Sequence, residues 1–403
     1  NHWLEADFGL LALEFALIQF EPEPWKPADS LVWGKIMASR LGGNWRGEVL
    51  RAELAKTLSP QQVRELWPSY PDDGPITLVD AASRVVAGLA NLAPWPANWP
   101  KGASNAWALA EGATDTGGAI LANDPHLEFS APIMWYLARV ETPKWTAMGA
   151  TVPGVPFFIL AQTGTHAWGM TSTQSDIEDL FIEKLSPDEP DRYLIPGGSE
   201  KFCVREETIK VKGGDDVKLT VRSTRHGPVI SDLRPRSKEL AGDGFVAALS
   251  ATYLKKGDRT ADAFYALVRA ENWNTFKSAL QLFRGPQQNF FFADTSGIIG
   301  FIAAGWVPIR GRGNGFVSTE GWTGETDWRD VVALDALPQR AGKDVRRLVN
   351  ANNPVTGLAY PYFLGVDWAP PYRAARIHTL LDEGRGRTIK DAATMQRDLF
   401  SGM

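Results

Sequence analysis

Few side chains in this sequence have the chemistry of a nucleophile, a metal ligand or an acid–base pair, and those few are widely spaced. The single cysteine, Cys203, excludes an internal disulfide and any cysteine-rich zinc site. Five histidines stand at positions 2, 126, 166, 226 and 378 with no His-Glu-x-x-His pairing, which argues against a zinc cluster. Serine is a poor nucleophile unless a base lies within hydrogen-bond reach. No Gly-x-Ser-x-Gly elbow is present, so an α/β-hydrolase is disfavoured, and no Gly-x-x-x-x-Gly-Lys-Ser/Thr loop cradles a phosphate. Gly311-Arg312-Gly313-Asn314-Gly315 has a superficial likeness to a dinucleotide loop, but it lacks the spacing and reads as a turn. The serine that stands out is Ser104. It lies in Lys101-Gly102-Ala103-Ser104-Asn105-Ala106-Trp107, where a proline-rich stretch runs straight into β-structure.

The elements that must position such residues follow from the patterning. Asp29-Ser30 predicts a cap for a helix over 31–41, ended by Gly42-Gly43. A second helix is predicted over 48–58, and Ser59-Pro60 opens a third with proline in its permitted first turn. Residues 69–103 are proline-rich with little periodicity and read as a linker. From Ser104 onward short strand-like runs dominate. Gly213-Gly214-Asp215 and Thr295-Ser296-Gly297 mark hairpin turns, and helices are predicted at about 261–270 and 274–283. Helices, then strands, then helices, then strands is an α+β order with largely antiparallel sheet.

Composition narrows the function classes. The 403 residues are 44% hydrophobic and 22% charged, as in a globular chain, and the net charge of -5 offers no polyanion-binding face, which disfavours nucleic acid as a partner. Sixteen Trp fit a β-rich core, or an aromatic-lined pocket for a bulky ligand. No run approaches the ~20 apolar residues of a membrane span; the best, over 8–20, is broken by Glu14. No signal peptide is visible, yet the chain opens on Asn1 and ends at Met403 without a turn or tail signal, so both ends are expected to be missing.

The run around Ser104 resembles the processing site of the penicillin acylase family, within the N-terminal nucleophile hydrolases, with Ala103 where many relatives have Gly. Further segments match in the same order. They are Asn123-Asp124-Pro125-His126-Leu127, Pro153-Gly154-Val155-Pro156-Phe157, His166-Ala167-Trp168-Gly169-Met170-Thr171-Ser172 and Asp176-Ile177-Glu178-Asp179-Leu180-Phe181. After them come Arg225-His226-Gly227-Pro228-Val229, Gln288-Asn289-Phe290-Phe291-Phe292-Ala293-Asp294 and Asn350-Ala351-Asn352-Asn353-Pro354. Upstream, Glu21-Pro22-Glu23-Pro24-Trp25 and Gly43-Asn44-Trp45 resemble the end of the family's small α subunit.

The resemblance implies an αββα four-layer sandwich with largely antiparallel sheets plus a helical α-subunit segment. It divides the chain into the end of α (1–68), a spacer (69–103) and the first part of β (104–403), two chains cut from one precursor. It implies an amidohydrolase that takes a small N-acyl amide, with a β-lactam side chain or an acyl-homoserine lactone as candidates, and export to the periplasm or beyond. Ser104, freed by cleavage after Ala103, would be nucleophile, and its own α-amine, with an unperturbed pKa of about 7.7–8.0, its base. Ser172 N–H and the Asn289 amide would hold the oxyanion, His126 would orient the nucleophile, and Arg310 would support Asn289 and the amine. Read as residues alone, His126 is an ordinary structural histidine, Asn289 a strand-end turn residue and Arg310 an exposed arginine. Leu41, Leu127, Leu160 and Met170 would line an aliphatic acyl pocket, or simply pack in the core. Glu48, Asp176 and Asp179 would hold a structural calcium, or form a solvated acidic turn; no organic cofactor is implied. Two other readings stay open: a non-catalytic fragment or unprocessed precursor, and a glycoside hydrolase or sugar-binding domain, which needs two cleft carboxylates.

Overall fold

The computed structural model describes residues 13–400 apart from 68, 72, 79–101, 128–129, 132 and 358, with 236 described by its backbone alone. Two antiparallel sheets form its centre. The larger has seven strands in the order Gln339–Gly342, Ile299–Ala304, Gln288–Asp294, His166–Ser172, Leu160–Thr163, Thr146–Thr151, Tyr136–Glu141. The smaller has three, with Ala103–Leu109 between Arg347–Asn350 and Ile120–His126.

The unbroken apolar run Phe290-Phe291-Phe292 explains the stacking. Successive strand side chains point to opposite faces, so such a run requires cover on both. Phe290 and Phe292 pack with Phe264, Leu267, Phe276 and Leu280 of the helices Thr260–Leu267 and Trp273–Leu280. Phe291 and Ala293 face the smaller sheet, against Ala106, Ala108 and Leu348. The smaller sheet repeats the device. Trp107 and Leu109 turn the other way, onto Ala374, Ile377 and Leu380 of the helix Tyr372–Asp382 and onto Ala392 and Met395 of Ile389–Met395. The result is helix, sheet, sheet, helix, the four-layer α+β arrangement expected. Each fully buried Phe contributes about 1.5–3 kcal/mol to holding the layers together.

Both hairpins form as predicted, Cys203–Ile209 with Val217–Ser223 and Gln288–Asp294 with Ile299–Ala304. Gly213 and Gly297 take the positive φ their turns require, 72° and 81°. The first helix differs: it spans Pro27–Leu41, because Pro27 occupies its first turn and Asp29 accepts from the Lys26 N–H at 2.7 Å. The second spans Trp45–Leu54 rather than 48–58. Of the expected linker, 79–101 lie outside the described residues. Its start is fastened to the body, since Thr77 and Leu78 N–H donate to Pro354 and Val355 carbonyls at 3.1 Å each. Among the described residues no helix is long and apolar enough to cross a membrane.

Candidate active site

Ser104 is the second residue of the central strand of the smaller sheet and is 5% exposed. Its hydroxyl oxygen accepts two hydrogen bonds, from the Ser172 backbone N–H at 3.2 Å and from Asn352 Nδ2 at 3.0 Å. Asn352 also donates to the Ser172 carbonyl at 2.8 Å, and its Oδ1 accepts the Ser104 N–H at 2.8 Å. The carboxamide therefore clamps both ends of the serine. Arg373, on the helix Tyr372–Asp382, closes the group from behind. It donates to Ser104 O at 2.9 Å, Asn105 Oδ1 at 2.7 Å and Asn352 Oδ1 at 3.0 Å. Burial drives its pKa down to about 10, against the opposing pull of Asp124. A buried cation beside Ser104 N disfavours a second positive charge there.

The turn that presents Asn352 is bonded throughout. Asn352 sits at φ 66°, a left-handed conformation that Asn tolerates better than most residues. Its N–H donates to Asn350 Oδ1 at 2.9 Å, and Asn353 Oδ1 accepts the Ala351 N–H at 2.9 Å. Asn350 Oδ1 also accepts from Thr171 Oγ1 at 2.6 Å and from Asn289 Nδ2 at 3.1 Å.

Neither Asn289 nor Arg310 is hydrogen-bonded to Ser104. Asn289 is fully buried and points between the sheets, where its amide is taken up by Asn350, Thr171 and Thr173 rather than by Ser104. Strand alternation is the reason: its neighbour Gln288 faces the cavity, so Asn289 cannot. Arg310 pairs instead with Asp176 Oδ1 at 2.7 Å and Asp179 Oδ2 at 2.8 Å. The asparagine and arginine that contact Ser104 are Asn352 and Arg373. The signal available was the buried-type run Asn350-Ala351-Asn352-Asn353-Pro354; nothing local marked Arg373. The Ser172 N–H does meet the Ser104 hydroxyl. His126 is paired across the sheet with Ala103, the residue before the nucleophile, and its Nε2 meets Asp124 Oδ2 at 2.7 Å without touching Ser104.

Ser104 and Ser172 open onto a cavity of ≈ 280 Å³ whose wall includes Leu41, Leu127, Leu160 and Met170, all four expected residues. Phe157, Phe264, Phe283, Trp33 and Trp135 line it too, so it is not the purely aliphatic pocket expected. Among the described residues the wall carries one carboxyl, Asp258, which pairs with Lys35, whereas glycoside hydrolysis needs two. Trp107 and Trp168 are core residues, so both readings of the Trp content are realised.

Glu48, Asp176 and Asp179 also meet, away from Ser104. Each is at most 5% exposed, so this is no solvated turn. The Leu180 N–H donates to Glu48 Oε2 at 2.9 Å, while Glu48 Oε1 and Asn44 Oδ1 are buried without partners. Desolvation first, then Asp179 and Asp176, push the Glu48 carboxyl well above its usual range. Asp176 is raised by burial despite the opposing Arg310. Among the described residues, no three His, Cys, Asp or Glu side chains already converge as a metal cage; Arg310 stands between the two aspartates.

The sequence profile of penicillin amidase matches residues 1–403. The chain is 28% identical to an acyl-homoserine lactone acylase of Pseudomonas aeruginosa, across 97% of this chain and 48% of that protein. It is 31% identical to the penicillin acylase 2 proenzyme of a Pseudomonas species, across 97% and 51%. It thus spans about half the length of these relatives. A thermostable penicillin G acylase from Alcaligenes faecalis superposes with a TM-score of 0.61 over 69% of this chain and 49% of that one, at 22% identity, which speaks for the fold.

Proposed function

The chain belongs to the penicillin amidase family, and from that premise we propose that it carries the nucleophile of an amidohydrolase releasing a carboxylic acid and an amine from an N-acyl compound. The observation that carries this reading is the environment of Ser104: two donors on its hydroxyl, a shared acceptor on its nitrogen, and an apolar cavity in front.

Within the unbroken chain Ser104 N is an amide and cannot serve as a base. The hydroxyl attacks the Ala103 carbonyl carbon, its proton passes to the departing nitrogen, and the C–N bond gives way to an ester. Water then hydrolyses the ester, leaving a carboxylate on Ala103 and a free amine and hydroxyl on Ser104. That amine, kept neutral by the nearby Arg373 cation, takes the hydroxyl proton when a substrate carbonyl is attacked and returns it to the leaving amine. The Ser172 N–H and Asn352 Nδ2, which now hold the hydroxyl, hold the oxyanion of the tetrahedral intermediate. Asn289 acts at one remove, by fixing Asn350 and through it the turn of Asn352. The division into α (1–68), spacer (69–103) and β (104–403) belongs to this reading, as do a β-lactam side chain or an acyl-homoserine lactone as candidate substrates.

The acidic cluster suits calcium. Glu48, Asp176, Asp179 and Asp367 outnumber Arg51, Arg310 and Lys255 among the charges that act on one another there. The unpartnered Glu48 and Asn44 oxygens are hard donors. An ion held by Glu48, Asp176 and Asp179 would supply the missing positive charge and tie the Trp45–Leu54 helix to the strand Glu178–Lys184.

Mass spectrometry of the complete protein, with hydrolysis of a small panel of N-acyl anilides, tests the central reading. Two chains divided before Ser104 and turnover that vanishes in Ser104→Ala are expected. A lasting single chain favours an inert precursor, and turnover surviving Ser104→Ala sinks the mechanism.

A further inference from the structure

The strand Leu160–Thr163 parts early from its neighbour His166–Ser172. The two pair at Ala161 with Trp168 and at Gln162 with Ala167, and the chain before Leu160 turns off to line the cavity. Residues two apart in a strand turn their N–H and C=O to the same edge. Met170 and Ser172 therefore present theirs where that neighbour has gone. The smaller sheet and its turn supply the missing partners. Ser172 is met by the Ser104 hydroxyl and by Asn352. Met170 is met by Asn123: its N–H donates to Asn123 Oδ1 at 2.9 Å, and its carbonyl accepts from Asn123 Nδ2 at 3.0 Å.

Asn123 reaches across from the strand Ile120–His126, where it lies opposite Ala106 on the face that looks at the larger sheet. The same Nδ2 also donates to the Asn105 carbonyl at 2.9 Å. One carboxamide thus joins the strand of Ser104 to the strand of Ser172, next to the serine on one side and two residues short of it on the other. The approach is close. A Cβ on Gly169 would stand 2.7 Å from Asn123 Oδ1 and 2.8 Å from Asn123 Cβ, nearer than a side chain tolerates. Glycine at 169 is what lets the carboxamide reach the Met170 backbone.

We propose that Asn123 is a positioning residue for acyl transfer, the staple that sets the separation of the two sheets where a nucleophile on one must meet an oxyanion donor on the other. The assignment rests on the amidohydrolase reading, in which the Ser172 N–H holds the oxyanion. Asn123 takes no part in proton transfer; its side chain bonds backbone groups of Asn105 and Met170. What it governs is the 3.2 Å between Ser172 N and Ser104 Oγ. An oxyanion donor acts only over a narrow range of distance, and a misplacement of about 1 Å costs on the order of 10²-fold in rate. Ground-state binding depends on the broad cavity wall and tolerates the same shift.

Kinetics of the complete protein separate positioning from plain loss of stability. Asn123→Leu removes all three bonds at similar volume, and Asn123→Asp keeps the acceptor for the Met170 N–H but loses both donor bonds. Gly169→Ala pushes the carboxamide away without altering it. Val246→Ala is the destabilised control; it sits in a separate sheet, packed on Tyr193, Phe202 and Val229. The readouts are Tm, the rate of cleavage before Ser104, kcat and KM on an N-acyl anilide, and inhibition by an alkylboronic acid. The boronic acid forms a tetrahedral adduct on Ser104 with an oxygen among the oxyanion donors. Asn123→Leu and Gly169→Ala are expected to lower kcat and the cleavage rate by about ten- to a hundredfold and to weaken the boronic acid in proportion, with KM and inhibition by the matching carboxylic acid held within about threefold. Asn123→Asp should fall between these variants and wild type. Val246→Ala should lower Tm and leave kcat within about twofold. A variant that folds yet stays uncut while Val246→Ala is cut supports the assignment. Losses in kcat no greater than those of Val246→Ala, or equal weakening of the boronic and carboxylic acids, overturn it. If Asn123→Leu does not fold, Gly169→Ala and Asn123→Asp decide on the same criteria. A wild-type protein that neither cleaves itself nor turns over the anilide sinks the amidohydrolase reading instead.

Discussion

Replacing Asn352 by alanine removes four hydrogen bonds at once. Its Nδ2 meets Ser104 Oγ at 3.0 Å and Ser172 O at 2.8 Å; its Oδ1 meets Ser104 N at 2.8 Å and Arg373 at 3.0 Å. If Nδ2 is one of two oxyanion donors, kcat falls by about 10²–10³, or ~2.7–4 kcal/mol, as for loss of one such donor elsewhere. Arg373 and the Ser172 carbonyl are left short of a partner in a buried place, so stability should also fall by about 1–3 kcal/mol. Asn352→Asp separates the terms. It keeps the shape and the acceptor toward Arg373 but replaces the donor by an anion, so kcat should fall at least as far while stability holds better. Asn289→Ala is the counter-experiment: it touches only the supporting network and should cost stability and, in rate, clearly less than Asn352→Ala. The assay is twofold, the rate of cleavage before Ser104 by mass spectrometry and kcat on an N-acyl anilide, with urea denaturation for stability. If Asn352→Ala keeps kcat within about threefold of wild type while Asn289→Ala loses more, the donor has been assigned to the wrong asparagine.

Other consequences are as direct. Arg373→Met deletes the cation that shares Asn352 Oδ1 with Ser104 N, so the amine should gain its proton more readily and the acid limb of kcat/KM should move to higher pH. An unmoved limb would dissociate the base from Arg373. Burial raises the Asp258 carboxyl, but Lys35 and Thr260 outweigh it and hold it below its usual value. Its stabilisation is therefore present above the unfolded pKa of about 3.9 and lost as pH falls through the lower folded value. Asp258→Asn should lower Tm at neutral pH and flatten its acid dependence, and a parallel shift at all pH values would refute this. Chelation should lower Tm, calcium should restore it, and Asp179→Asn should abolish the response; a Tm indifferent to both reagents would assign the cluster to Arg310 alone.

The part of this protein legible in the sequence was the part encoded locally. Gly213 and Gly297 mark hairpins because only glycine adopts their turn geometry freely, and Phe290-Phe291-Phe292 reads as a strand with both faces covered. Ser104 was legible because a proline-rich stretch meets a strand there, and Leu41, Leu127, Leu160 and Met170 line the cavity onto which it and Ser172 open. What local pattern could not decide was which of several asparagines and arginines reaches the serine. Asn289 and Asn352 are both buried amides beside apolar strands, and both carry amide donors. One points between the sheets because of strand alternation; the other is carried to Ser104 by a left-handed turn 248 positions along the chain. Arg373 arrives on a helix with no motif of its own, and Arg310 is drawn away by two aspartates 131 and 134 positions before it. Separations of that size are closed only when the layers stack, so the identity of the clamp belonged to the tertiary structure.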